Sequence, residues 1–166
     1  MANHTQPSST LSVHTVEDTA AYLKYFESNK DGIALVPEPY GETPLGLKAD
    51  GVDFAKWIKQ TTPEFSISLP SSSPKIALHS GDIWLPLIYL AGDTSMSVLL
   101  NMVSNYFYDR IKGNLLSDRP KVHMTVVYQN KRDGITKKFE FSGDSDSLKK
   151  AVKRFDLDNF FNESSE

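Results

Sequence analysis

The chain has 166 residues, 39% hydrophobic and 23% charged, with a formal net charge of −3. That is enough chain to bury one sizeable core, and the balance is that of an ordinary globular protein rather than a disordered one. It contains no cysteine, which excludes disulfides, thiolate nucleophiles and cysteine-based zinc or iron–sulfur sites.

In chain order, residues 1–14 read as a mobile, polar N-terminal tail without the basic and apolar regions of a secretory signal. A single domain is expected over 15–161, divided into an N-terminal portion, 15–70, and a module at 75–155, with 162–166 as an acidic tail. Val16, Ala20, Leu23, Tyr25 and Phe26 follow helical spacing, with Thr15 placed to cap a helix that Asn29 to Gly32 would end. Ile33-Ala34-Leu35-Val36 predicts a short strand, and the proline- and glycine-rich stretch from Pro37 to Gly51 a long surface connection. Val52 to Gln60, carrying Phe54, Trp57 and Ile58, predicts an amphipathic helix. Phe65 to Leu69 alternates as a half-buried strand does, and Pro70 to Pro74 breaks the chain. Lys75 to His79 reads as a strand or as the start of a helix through Trp84, although Pro86 favours a helix that begins close to Asp82.

The most apolar stretch runs from Ile83 to Gly113 and is expected to form two central helices. In the second, Met96, Leu100, Val103, Phe107 and Ile111 share one face, and Leu99, Met102 and Tyr106 widen the stripe. Asp93 or Thr94 can cap its start, and Gly113 can end it. The uninterrupted apolar run, Ile83 to Leu90, is too short to cross a bilayer, so a membrane span is not expected. Val122 to Tyr128 and Ile135 to Phe141 alternate on either side of Asp133-Gly134, which predicts an antiparallel hairpin with Ile135, Phe139 and Phe141 on one side. Asp144-Ser145-Asp146 then opens a last helix, whose Leu148, Val152 and Phe155 face inward. The predicted fold class is α+β: an antiparallel sheet including the C-terminal β-hairpin, packed against apolar central helices and a C-terminal helix.

Three groups of residues invite functional readings. Lys131, Arg132, Lys149, Lys150, Lys153 and Arg154 lie in a segment, Arg119 to Arg154, that carries 10 basic and 4 acidic residues, so they form the candidate surface for nucleic acid. Tyr106, Tyr108, Phe160 and Phe161 are candidate partner-binding residues, because two tyrosines so close on one helix do not share a core stripe and the phenylalanines stand near the end of the chain. His79-Ser80-Gly81-Asp82 joins histidine, hydroxyl and carboxylate, but lacks the third group a hydrolase needs and the further ligands a metal needs. His4, His14 and His123 read as structural or exposed. No catalytic residue, metal ligand or cofactor is assigned, and phosphate-loop, dinucleotide, zinc-protease and nucleophile-elbow motifs are lacking.

The order of features in the C-terminal half resembles a known family. Leu87 to Leu100 around Ala91-Gly92-Asp93, Arg110-Ile111-Lys112, Val122 to Tyr128, Asp133-Gly134, Phe139 to Phe141 and Asp144 to Val152 are similar to the effector-associated constant component of bacterial conflict systems. The resemblance implies a cytoplasmic, non-catalytic accessory or adaptor subunit that binds a larger effector protein in an anti-phage defence complex. From the residues alone, the alternatives are a nucleic-acid-binding accessory protein and a small hydrolase.

Overall fold

The computed structural model describes residues 9–17, 32–70, 73–77, 81–91, 96–112, 120–129 and 134–153. Its strands are β1 (Thr10–Thr15), β2 (Gly32–Val36), β3 (Glu38–Tyr40), β4 (Thr43–Lys48), β5 (Ile67–Ser68), β6 (Lys75–Ile76), β7 (Ile83–Ala91), β8 (Val122–Gln129) and β9 (Thr136–Gly143). Helix α1 spans Ala49–Thr61, α2 spans Met96–Ile111, and α3 covers 145–153 among the described residues. Six strands form one sheet in the order β1-β9-β8-β7-β2-β5, and β3-β4-β6 form a smaller one.

The α+β class holds, but the large sheet is mixed. Strand β7 pairs parallel with β8 and antiparallel with β2, while β2 pairs parallel with β5. The parallel β7–β8 pair is joined through α2, as parallel neighbours require a crossover. The hairpin β8–β9 is antiparallel, with Met124 beside Phe141 and Val126 beside Phe139. Ile135 is exposed and Thr136 buried, because the ladder begins at Thr136, one residue after the expected apolar start.

The first expected central helix is therefore replaced by a strand. Ile83 to Leu90 lies in the interior of the sheet and is buried on both faces except at half-buried Trp84, so its run of apolar residues lacks the alternation that marks a half-buried strand. Pro86 fits because the pairing with β8 slips beside it: Trp84 opposes His123, yet Leu87 opposes Thr125. Three steps on β7 against two on β8 make a bulge, where a residue without an N–H is tolerated. Helix α1 packs onto this point through Gly51, whose Cβ, if present, would stand 2.6 Å from Pro86 Cγ.

The main core lies on one face of the sheet. Ile33, Leu35, Ile83, Leu85, Ile88, Leu90, Met124, Val126, Phe139 and Phe141 meet Phe54 and Ile58 of α1, Leu99, Leu100, Val103 and Phe107 of α2, and Leu148 and Val152 of α3. Ala34, Val36, Leu87, Tyr89 and Val127 form a second buried cluster. Alternation along the strands puts it on the opposite face. Asp144 caps α3, its Oδ1 accepting the Ser147 N–H at 2.9 Å.

Two further expectations change. Thr10–Thr15, placed from sequence in the tail and at a helix start, forms a strand on β9, with Val13 beside Phe139. The Pro37–Gly51 connection contains the β3–β4 hairpin and the first turn of α1. Gly41 takes φ +57° in its turn, and Glu42 does not have positive φ, the pattern of a glycine-first hairpin turn. The rest of the expected first helix, the Asp93-Thr94 cap and the Gly113 stop lie outside the described residues. Among those residues no helix is long and apolar enough to cross a membrane.

Glycine 32 sits where β2 leaves room for nothing else. Its φ is +89°, and a Cβ would fall 2.1 Å from the Ser66 carbonyl oxygen. Gly41 also has positive φ but faces open space. Urea denaturation should therefore show Gly32→Ala destabilised by more than about 2 kcal/mol, through both backbone strain and collision. Gly41→Ala should lose about 1 kcal/mol from the left-handed conformation alone. Equal losses would contradict the packing at Ser66.

Candidate functional site

The bulge in β7 shapes a site on the sheet. Trp84, His123 and Ser142 are lateral neighbours on β7, β8 and β9, so their side chains project from one face. The Trp84 and His123 rings stack, with centroids 3.8 Å apart and planes inclined by 16°. His123 Nδ1 lies 2.8 Å from Ser142 Oγ, and Nε2 lies 2.9 Å from Asp82 Oδ2. The other Asp82 oxygen accepts the Lys121 N–H at 3.0 Å. Trp84 is fixed through its backbone as well, donating its N–H to Asp50 Oδ2 at 2.7 Å.

A cavity of about 340 Å³ opens beside Trp84. Glu38, Pro39 and Tyr40 of β3 form one side, Gly46 and Lys48 of β4 and Ile76 of β6 another, and Trp84 with Pro86 the β7 wall. Lys48 Nζ lies 5.9 Å from the Trp84 ring centroid, within range of a cation–π contact. Glu38 Oε1 accepts the Leu87 N–H at 3.1 Å, next to the bulge. The two sheets thus meet at a half-open pocket with aromatic and proline walls, one ammonium and one carboxylate. Its size falls at the lower end for ligand sites.

Ser142, His123 and Asp82 have the composition of a hydrolytic triad, but a different setting. Strand β9 pairs on both sides, with β8 and with β1, so the backbone around Ser142 is committed to two ladders. Acyl transfer requires N–H donors converging on a developing oxyanion. Asp82 and Ser142 hold the imidazole from its two nitrogens, and the imidazole stacks on the indole.

The residues singled out from sequence are dispersed. Tyr106 is 1% exposed, its hydroxyl donating to Asp53 Oδ2 at 2.7 Å and its ring edge-on to Phe54 and Trp57. It is a core residue, and its assignment as a partner anchor is corrected. Burial, together with the Asp53 carboxylate, pushes its phenol far above the usual tyrosine range. Tyr108, two residues on, is 56% exposed, with Lys149 Nζ 6.0 Å from its ring centroid. Lys149, Lys150 and Lys153 are exposed on α3. Lys131, Arg132, Arg154, His79, Phe160 and Phe161 lie outside the described residues. Asp82, grouped from sequence with His79, is bonded to His123, 41 positions away. Spacing along the chain carries no trace of that pairing. Reading β7 as a strand would have placed Trp84 on a sheet face beside a neighbouring strand.

Among the described residues, no group of three histidine or acidic side chains is arranged to hold a metal. Burial alone would raise the Asp82 carboxyl, but hydrogen bonds from His123 and from the Lys121 N–H outweigh it and hold Asp82 below its ordinary value. A depressed carboxyl contributes stability above its unfolded-state pKa of about 3.9 and loses it as pH falls through the folded value. The stability advantage of the wild type over Asp82→Asn should therefore be full at neutral pH and shrink as pH drops below about 4. Urea denaturation across that range measures it, and an advantage unchanged at low pH would contradict the charge-assisted bond.

No protein-family model, curated protein or solved structure matches the chain.

Proposed function

We propose that the chain is a cytoplasmic, non-catalytic accessory subunit that binds a larger effector protein through the Trp84 pocket. The observation that carries this reading is a half-open pocket whose aromatic wall is fixed in advance. Trp84 is stacked on a histidine that is itself bonded at both nitrogens, so little side-chain freedom remains to be lost on binding. Tryptophan, tyrosine and proline surfaces around one lysine suit a short partner segment with an apolar or aromatic side chain next to a carboxylate. The resemblance of the C-terminal half to the effector-associated constant component supports the class of partner, an effector of a bacterial anti-phage defence complex.

The test is mild purification of the tagged chain from its native cell, with a mass determination of the intact assembly. The expected result is a stoichiometric larger protein. Tyr40→Ala and Lys48→Glu, both on the pocket rim, should weaken that association at least tenfold, about 1.4 kcal/mol, without lowering the melting temperature by more than a few degrees. A lone chain, or rim variants that bind normally, would overturn the proposal.

One observation favours a second reading as a nucleic-acid-binding accessory: exposed Tyr108 and the Lys149 ammonium form an aromatic and cationic surface on α2 and α3. If it binds DNA or RNA, affinity falls steeply with salt, and replacing Lys149, Lys150 and Lys153 with glutamate flattens that slope. A slope untouched by the three substitutions would remove this surface from consideration.

A further inference from the structure

One edge of the large sheet is an exposed strand. Among the described residues β1 is the last strand on its side, and all six of its residues are exposed. Its sequence, Thr10-Leu11-Ser12-Val13-His14-Thr15, contains none of the lysine, acidic or proline residues that usually blunt such edges. Leu11 and Val13 sit beside Phe141 and Phe139, on the side of the main core, yet are 38% and 47% exposed.

Backbone parity shows which groups point outward. Val16 N–H donates to the Thr136 carbonyl of β9, so Val16, His14, Ser12 and Thr10 direct their polar groups inward. Leu11, Val13 and Thr15 direct theirs away from the sheet.

We propose that β1 is a self-association edge, and that its occupant is β1 of a second copy, antiparallel about a two-fold axis through Ser12. In this register Leu11 faces Val13 of the other copy twice, and each pair exchanges two backbone hydrogen bonds through the outward groups. The four aliphatic side chains then form one patch continuous with the core side of a twelve-stranded sheet. No charged pair is forced together along the edge. The opposite edge, β5, is only two residues long and ends at Leu69-Pro70, so the two-fold pairing closes at two copies rather than growing into a filament. A six-residue ladder lies below the roughly 1,200 Å² typical of stable interfaces, which sets the expectation of a weak, concentration-dependent dimer. This inference does not rest on the Trp84 pocket.

The cysteine-free chain allows a direct test of register. Ser12 and its copy would form a non-hydrogen-bonded pair with Cα atoms about 4.5 Å apart, within disulfide range. Ser12→Cys under mild oxidation should become mostly covalent dimer, and Thr10→Cys should not. Thr10→Cys with His14→Cys should cross-link, since those positions face each other. Adding Leu11→Lys to Ser12→Cys should reduce cross-linking at least fivefold with the melting temperature preserved, and sedimentation of the unmodified chain should show reversible dimer at high concentration. Monomer at all concentrations with no Ser12→Cys cross-link would overturn the proposal. So would preferential cross-linking of Thr10→Cys alone, which would mean random collision or another register.

Discussion

Strand β7 is the constraint on which the rest of the structure depends. It lies between β2 and β8, pairing with β8 from Ile83 to Leu90 and with β2 from Leu87 to Ala91, and every residue from Ile83 to Leu90 except half-buried Trp84 is buried. A polypeptide in that position needs apolar residues at nearly every position, and Ile83 to Leu90 supplies them. On the second face Tyr89 is 3% exposed, and burial pushes its phenol up to about 12. The single difficulty is Pro86, which cannot donate to a ladder. The bulge beside it resolves that difficulty, and Gly51 lets α1 approach the proline ring closely.

The candidate site follows from the same irregularity. Because the register slips after Trp84, the start of β7 carries the indole over His123, while the Leu87 N–H beside the bulge is taken by Glu38 of the smaller sheet. The two sheets are thereby tied together around a pocket rather than along a continuous ladder. Asp82 stands at the entry to the strand, where it can accept from both the Lys121 backbone and the His123 ring. A polar row is thus used to fix an aromatic wall, and the lysine and carboxylate of the pocket are presented on a rigid background.

Much of the fold is legible in the chain where one rule governs locally. The β8–β9 hairpin reads correctly because one face of each strand is less buried than the other, and α2 reads correctly because its apolar stripe is long and periodic. Helix α3 announces itself through Asp144, whose capping bond is observed. Strand β7 does not, since burial on both sides erases the alternation that separates strand from helix, and proline at its fourth position resembles a helix start. Strand β1 is hidden for the opposite reason: an edge strand exposed along its whole length makes few demands on sequence. Tyr106 and Tyr108 were separable only in part, for adjacent helical faces leave one in the α1–α2 seam and the other in solvent. The Asp82–His123–Ser142 row depends on register across three strands, which no local pattern encodes.

On this account the Trp84 pocket, rather than the Tyr108 face, receives the partner. Amide hydrogen exchange on the purified native assembly, compared with the free chain, tests that most directly. Tighter protection in the Glu38–Tyr40 and Thr43–Lys48 segments and around Trp84, with the 145–153 helix unchanged, is the result the account predicts. Protection confined to α2 and the 145–153 helix, with β3, β4 and the start of β7 exchanging as in the free chain, would contradict it.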